Sequence, residues 1–562
     1  MKMNPDVSIH LYSKFKPQKI NLGSFNIYLN GMPILMGEKV LGYDWIRKIY
    51  DEFEHPHFKS DSALKLKEIL ENTTGSFSLI FRDGDDYIIA SDVIRSYPLF
   101  YGVYKNKVFI TDNLEEFQKE NGSFKVDYKK LIEFCSSGSV FNKGTVYKDV
   151  YSIQAGEIVT IRNNNIISDR YFELKPKESV RYRNLPELDY IKEFDSILIL
   201  IFSRLIENHP DVNRWIIPLS GGHDSRLVVN YLYRLGIKNV ICFSYGTRNN
   251  EQSVISKKVA EALGYEWHFV EYTDTKWKVL HTSGVFTDYL SYSWNGVSTP
   301  HIQDFLAVYE LKEKRILREG DIFIPGHTVV PEDAFNANTQ KLETREEALE
   351  YVFSKNVLTN KILKDRSSVF TELQYMYDNS KTTPKNFMGY CDWQERQAKF
   401  ISNSIKVYEF FGYKTLQPTW DREWIDIWMK IPAEKRVNRS LQFLMEERRG
   451  LVSQLMNIPY ANDDHKESKF SLKSILKRGL PNYAIVLLLR LTRRGVVLNE
   501  GMNLVYAVGD VTVKNLLDPI EDFPDQVLSY YKDIMLRYTY QVDSNVLTVL
   551  YIVRRLLDGK RN

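Results

Sequence analysis

The stretch from Trp215 to Arg226 reads WIIPLSGGHDSR, and it holds the side chains with the clearest chemical use. Trp215 to Leu219 form a short buried-strand pattern closed by Pro218. The chain then runs Ser220-Gly221-Gly222-His223-Asp224-Ser225 into apolar residues of helical period, Leu227, Val228, Tyr231, Leu232 and Leu235. Strand, tight polar turn, helix is the implied order. Two adjacent glycines let consecutive backbone N–H groups turn into one concavity at the positive end of the helix, which is a place for phosphate. Ser220 and Ser225 add hydroxyl donors. Asp224 is out of place in an anion site unless it holds a cation that phosphates also ligate.

The Walker A loop is excluded, because it requires G-x-x-x-x-G-K-[ST] and no lysine follows these glycines. The segment resembles the SGG-x-DS loop of the PP-loop ATP pyrophosphatases, which grips the pyrophosphate leaving group while a carboxylate is adenylated. On six residues alone a surface turn stays open as the alternative. The next element supports the first reading: Asn239 to Gly246 is a second buried strand ending in glycine, where an adenosine would lie in a parallel α/β sheet. Phe243, Ser244 and Gly246 are the candidates for its contacts. A helix from Glu251 with Val254, Val259, Ala262 and Leu263 on one face stops at Gly264, and Tyr265 to Val270 makes a third strand. The alternation fits a doubly wound fold.

Those elements sit in a chain of 562 residues, long enough for two or more domains, with 43% apolar and 13% aromatic residues to fill their cores. The 75 basic residues face 72 acidic ones, so charge makes no case for nucleic acid. Cys135, Cys242 and Cys391 stand far apart, outside any disulfide framework or zinc cluster. The polar start shows no secretory signal and the apolar runs are too short for a bilayer, so the chain reads as cytoplasmic and free of membrane partners.

Residues from about 20 to 175 read as strands: SFNIYL, SFSLIF, YIIAS, KVFIT and EIVTI, separated by turn chemistry such as Arg82 to Asp86. This part resembles the glutaminase-type domain of asparagine synthetases, on Gly75 to Phe81, on Ala90 to Tyr101, and on Thr145 to Gly156 followed by Tyr171. In that family the reaction depends on an N-terminal cysteine whose thiol attacks glutamine. Here Met1 is followed by Lys2 and the first thiol is Cys135, so glutaminase activity is expected to be absent and Cys135 to be a packed core residue. Pro176 to Pro186, charged and proline-bounded, is the expected linker. A helix resumes after it with Leu188, Ile191, Phe194, Ile197, Leu198, Ile201 and Leu205 inward. His268, alone in its strand, is expected to be structural.

The resemblance continues at Asp321 to Ala334, a strand ending in a glycine turn where asparagine synthetases read SGEG-x-DE. Aligning Gly326 puts His327 at the first glutamate and Val330 at the aspartate that would share magnesium with the loop. Glu332 or Asp333 would supply the missing oxygen if the loop is re-routed; otherwise they are surface carboxylates. Trp393, Arg396, Gln397 and Asn403 are expected on a helix ending near Gly412, with Pro418 and Trp420-Asp421 matching the family's P-x-x-D turn. The next helix carries a core stripe of Trp424, Ile425, Ile427, Trp428 and Met429. Arg396 and Lys399 are candidates to reach an anionic substrate, with a solvated or linker-facing charge as the equal alternative. The family's C-terminal lysine, which stabilises the acyl-adenylate, corresponds to Lys466 or Lys469.

The resemblance implies an α/β protein: a glutaminase-like (Ntn-type) β-rich domain over 1–178, then over 179–562 a PP-loop adenine-nucleotide α-hydrolase-like domain with a parallel sheet and helical additions. It implies an asparagine-synthetase-like ligase that uses ATP and Mg2+ to adenylate a small-molecule or peptide carboxylate, with ammonia or an amine as acceptor. Asp224 would hold the metal, Ser220, Gly221, Gly222 and Ser225 the pyrophosphate, and a homodimer is compatible with it. A nucleotide-binding or scaffold protein without catalysis is the alternative, motivated by Val330 and the missing N-terminal cysteine.

Overall fold

The computed structural model describes residues 7–22, 25–36, 45–46, 48–49, 58–83, 86–162, 165–327, 336–356, 367–437, 451–461, 548–549, 552–553 and 555–556. The N-terminal part contains a six-stranded antiparallel sheet. Its members are β2 (Gln18–Leu22), β3 (Phe25–Gly31), β6 (Phe77–Asp83), β7 (Asp86–Ser91), β11 (Glu157–Arg162) and β12 (Asn165–Arg170), in the order β12-β11-β7-β6-β3-β2. A second sheet joins β1 (Ser8–His10), β9 (Lys107–Thr111), β8 (Phe100–Tyr104) and β10 (Val150–Ser152) in that order. A small ladder pairs β4 (Ile34–Leu35) with β5 (Thr73–Thr74).

Strand alternation sorts the apolar residues into layers. Ile80, Tyr87, Ile89, Val159 and Ile161 of the large sheet meet Tyr101, Val108 and Ile110 of the small one in a single core. Their strand neighbours Leu79, Phe81, Ile88 and Ile158 face the other way, onto Leu66 and Leu70 of the helix Phe58–Glu71. Phe100 and Phe109 face outward from the small sheet onto the helices Leu114–Asn121 and Tyr128–Ser137. The result is helix, sheet, sheet, helix. Asn113 and Asp127 start the last two helices by accepting backbone N–H groups of the first turn.

Beyond residue 186 the helix Glu187–Glu207 leads to a five-stranded sheet in which every pairing is parallel. Its strands are β13 (Trp215–Pro218), β14 (Val240–Gly246), β15 (Glu266–Glu271), β16 (Ile322–Phe323) and β17 (Lys414–Thr415), in the order β15-β14-β13-β16-β17. The chain runs outward from β13 to β15 and then returns to the other side of β13, so the direction of winding reverses between β13 and β16. Ligands of open α/β sheets bind at that kind of crossing, outside the carboxyl ends of the strands.

Two local expectations are corrected. The stretch 176–186 is no free linker: Lys177 and Ser179 donate their N–H groups to Met429 O (2.8 Å) and Lys430 O (3.0 Å), and Val180–Arg183 is a helical turn. The helix expected to carry Trp393 through to Gly412 is not uniform. It is α-helical over Pro384–Cys391, π-helical over Asp392–Ile401, 3₁₀ over Ser402–Ile405, α-helical again over Lys406–Phe410, and stops before Gly412 at φ 92°. Long-range bonds tie the widened turns to the N-terminal part: Trp393 Nε1 donates to Val93 O (2.6 Å), and Lys399 Nζ donates to Val140 O and Asn142 O (2.7 Å each). Trp393, Trp424 and Trp428 are all buried, as a core stripe requires.

Candidate active site

β13 ends beside β14, where Leu219 donates its N–H to Phe243 O (2.8 Å), and the next six residues turn into the helix His223–Arg234. The turn is closed from within. Ser225 Oγ accepts the Ser220 N–H (3.0 Å) and lies 3.0 Å from Ser220 Oγ, which accepts the Gly222 N–H at 3.2 Å. Gly221 N–H is donated to Gln252 Oε1 (2.7 Å), a residue on the helix Glu251–Ala262 that follows β14. Three successive backbone donors thus meet neutral side-chain oxygens. Asp224 stands in the first turn of the helix, where a carboxylate is favoured by the helix dipole.

The loop leaves β13 beside Phe243 of β14. Ser244 is buried and Gly246 bends the strand end at φ 121°. The Phe243 ring lies in the core against Phe323 (6.2 Å between centroids), so its contribution at the loop is its backbone carbonyl. From the other side of the switch point, Gly326 presses directly on the loop. A Cβ there would stand 2.6 Å from both Ser225 N and Ser225 Cα, so only glycine permits the approach.

His327, the next residue, is held from three sides. Its Nε2 is 2.8 Å from Ser404 Oγ, its carbonyl accepts from Thr419 Oγ1 (2.5 Å), and its ring stacks with Trp420 at 5.5 Å. Burial pushes its pKa down to about 4, against the nearby charge of Asp304 and helped by His301. The imidazole is neutral at physiological pH. Ser404 Oγ also donates to Ile401 O (2.6 Å), which assigns the shared proton at His327 to Nε2. Asp304, itself buried, accepts phenolic protons from both Tyr245, at the end of β14, and Tyr408. Val330, Glu332 and Asp333 lie outside the described residues.

The segment 458–461, just ahead of the lysine candidates, covers the loop. Ala461 donates its N–H to Gly221 O (2.9 Å), and Arg226 donates to Ile458 O (2.7 Å) and Pro459 O (2.6 Å). The Tyr460 ring stacks on His223 at 3.7 Å and lies 3.7 Å from the Arg226 guanidinium carbon. Arg226, one residue past the loop, is fully buried and finds acceptors in this segment. Lys466 and Lys469 lie outside the described residues.

Other candidates fall away from the loop. Lys399 is 1% exposed and is consumed by Glu395 Oε2 (2.5 Å) and two carbonyls, so it holds the π-helix and reaches no substrate. Arg396 is half-exposed, 3.8 Å from Asp392. His268 lies 2.6 Å from Glu266 on its own strand. Cys135 is buried, and desolvation pushes its thiol up to about 12. Among the described residues no group of three or more histidine, cysteine or acidic side chains is gathered to hold a metal ion. Among them, too, no helix is long and apolar enough to cross a membrane.

No family model matches the sequence, and no curated protein does. Among solved structures, the chain is similar to the allosteric regulatory enzyme of purine biosynthesis at 10% identity and a TM-score of 0.19, over 46% of this chain and 48% of that one. It thus spans about half the length of that protein. The U34-tRNA thiolase NcsA from Methanococcus maripaludis, with its [4Fe-4S] cluster, is similar at 16% identity and a TM-score of 0.22, over 57% of this chain and 83% of that one. The NH3-dependent NAD synthetase from Campylobacter jejuni is similar at 13% identity and a TM-score of 0.20, over 40% and 96%. At such TM-scores these likenesses assign nothing, and the functional reading rests on the site.

Proposed function

We propose that the chain is an ATP-dependent carbon–nitrogen ligase that adenylates a carboxylate and passes the acyl group to ammonia or an amine. The observation that carries this reading is the Ser220–Ser225 loop at the switch point of a parallel sheet, ahead of a helix N-terminus and packed against Gly326. The substrate carboxylate would attack the α-phosphorus of ATP. The bond from that phosphorus to the bridging oxygen breaks, and pyrophosphate leaves. The amine nitrogen then attacks the acyl carbon, AMP leaves, and the amine proton passes to solvent.

The loop suits a pyrophosphate. Gly221 and Gly222 N–H groups now serve neutral oxygens of Gln252 and Ser220, and a phosphate oxygen would replace these with charge-assisted bonds roughly twice as strong. Ser220 and Ser225 would add hydroxyl donors. Asp224 would be the single protein ligand of Mg2+, an ion that commonly keeps several waters and is otherwise held by phosphates. Bound there, the metal would neutralise charge on the leaving pyrophosphate. In this reading residues 1–178 form one unit and 179–562 the ligase unit, nitrogen comes from free ammonia or a substrate amine, and Lys466 or Lys469 would stabilise the adenylate.

The second reading, a nucleotide-binding protein without turnover, is favoured by His327, a neutral ring where the resemblance expects a carboxylate. Exchange of labelled pyrophosphate into ATP separates the two. One carboxylate from a panel of amino acids, sugar acids and peptides that supports exchange establishes the ligase. ATP binding with no exchange across the panel establishes the binder.

A further inference from the structure

Two of the three successive backbone N–H groups of the Ser220–Ser225 loop are taken up by its own hydroxyls: Ser220 donates to Ser225 Oγ (3.0 Å) and Gly222 to Ser220 Oγ (3.2 Å). The third, on Gly221, is met from a different element, by Gln252 Oε1 at 2.7 Å. Gln252 is the second residue of the helix Glu251–Ala262, and the start of that helix is fixed to the end of β14. Asn250 accepts the Ser253 N–H (2.9 Å) and donates to Tyr245 O (3.3 Å) and Thr247 O (2.8 Å). The Gln252 side chain is held more lightly. It is half-buried, and its carboxamide makes no other hydrogen bond among the described residues. Rotation about its torsions frees the Gly221 N–H while the helix stays in place. The loop cannot reach the same end by retreating: a Cβ at Gly221 would stand 2.9 Å from Ala461 Cβ and 3.2 Å from Gln252 Cα, and the Ala461 N–H holds Gly221 O at 2.9 Å. Gly221 is pinned between the helix and the segment 458–461.

A neutral side-chain oxygen thus sits on the one donor of the three that the loop does not use for its own closure. We propose that Gln252 is a built-in competitor for pyrophosphate: its Oε1 covers the Gly221 N–H until a pyrophosphate oxygen displaces it, and it thereby sets the affinity of the loop for the leaving group. This rests on the reading that the loop takes pyrophosphate. No covalent bond changes in the exchange; one hydrogen bond replaces another. The anion wins because its bond to the N–H is charge-assisted, about twice as strong as one to a neutral carboxamide. The apparent dissociation constant is the intrinsic one divided by the fraction of molecules with an uncovered Gly221 N–H. A neutral hydrogen bond of ordinary strength keeps that fraction at roughly one sixth. By returning to Gly221, Gln252 also helps to expel pyrophosphate once the adenylate has formed.

Calorimetric titration of the full chain with pyrophosphate and magnesium, without nucleotide, reads the effect. Gln252→Met keeps the length of the side chain and removes the acceptor, and should tighten pyrophosphate binding about sixfold. Gln252→Glu puts a charged acceptor on the same N–H and should weaken binding by about tenfold. Gln252→Ala is the second acceptor-free variant should methionine disturb the packing, and urea midpoints check that each protein folds. A glutamine that merely supports the loop, or that binds the anion itself, predicts the opposite sign. Binding by the acceptor-free variants equal to or weaker than the parent's therefore overturns the proposal and leaves the loop as a pyrophosphate site, as does binding by Gln252→Glu as tight as the parent's. No saturable binding by the parent or any variant at millimolar pyrophosphate overturns the loop reading, and the competitor with it. None of these readouts depends on turnover.

Discussion

Replacing Gly326 by alanine tests the contact that locks the Ser220–Ser225 loop to the neighbouring strand. The φ of Gly326 lies outside the left-handed region, so alanine brings no torsional penalty and the cost is steric. Its Cβ would stand 2.6 Å from Ser225 Cα, while a relaxed carbon contact needs about 3.5 Å, which leaves roughly 0.9 Å to be found. The opposing atoms are backbone at the start of a helix and cannot rotate away. Overpacking of this kind costs about 1–3 kcal/mol of stability. A displacement near 1 Å at a reacting centre costs about 100-fold in rate. Gly326→Ala should therefore lower the urea midpoint and cut pyrophosphate exchange by about two orders of magnitude. Gly222→Ala, whose Cβ would meet nothing closer than Ser220 Oγ at 3.4 Å, is the control for folding and should keep the parent's midpoint. A Gly326→Ala protein with unchanged midpoint, ATP affinity and exchange rate would refute the packing argument.

Asp224→Ala should remove about 2–4 kcal/mol of transition-state stabilisation, read as loss of magnesium-dependent exchange; equal exchange in the variant sinks the assigned role. Glutamine should not be hydrolysed, because Cys135, Cys242 and Cys391 are all buried with thiol pKa values pushed up by desolvation. Steady glutamate release that survives Cys135→Ala would show another nucleophile at work. His327 gives a pH dependence of definite sign: folded it titrates at about 4 against 6.5 for an ordinary histidine, so below pH 6.5 the unfolded chain binds the extra proton. Its contribution is complete above pH 6.5 and is lost as pH falls toward 4, amounting to about 2–3 kcal/mol once partial exposure of the residue is allowed for. Urea midpoints of the parent and His327→Gln should diverge over that window, and parallel curves would contradict the burial argument.

What could be read from the sequence is what local pattern encodes. β13 and β14 appear within a residue of the expected bounds, because a parallel strand covered on both faces is a near-continuous apolar run, and β15, a half-open edge strand, is placed as closely by the Gly264 stop before it. β17 carries no such signal. It is two residues, Lys414 and Thr415, and it exists because their backbone pairs with Ile322 and Phe323. The π-helix is equally silent: the carbonyls that its Trp393 and Lys399 bond, on Val93, Val140 and Asn142, lie some 250 to 300 positions away in the chain.

The site divides along the same line. The strand, turn and helix around Ser220 to Ser225 are legible because paired glycines and short polar side chains between two apolar runs encode a tight turn locally. The cover over the loop is not, because Ile458, Pro459 and Gly221 take part through their carbonyls and Ala461 through its N–H, groups that every residue of the kind carries. A main-chain contact of this sort selects for position rather than residue type. Arg226 adds a side-chain tie to the main-chain ones: its buried guanidinium donates to Ile458 O and Pro459 O, as a charge without solvent requires, and fixes the cover against the first turn of its helix.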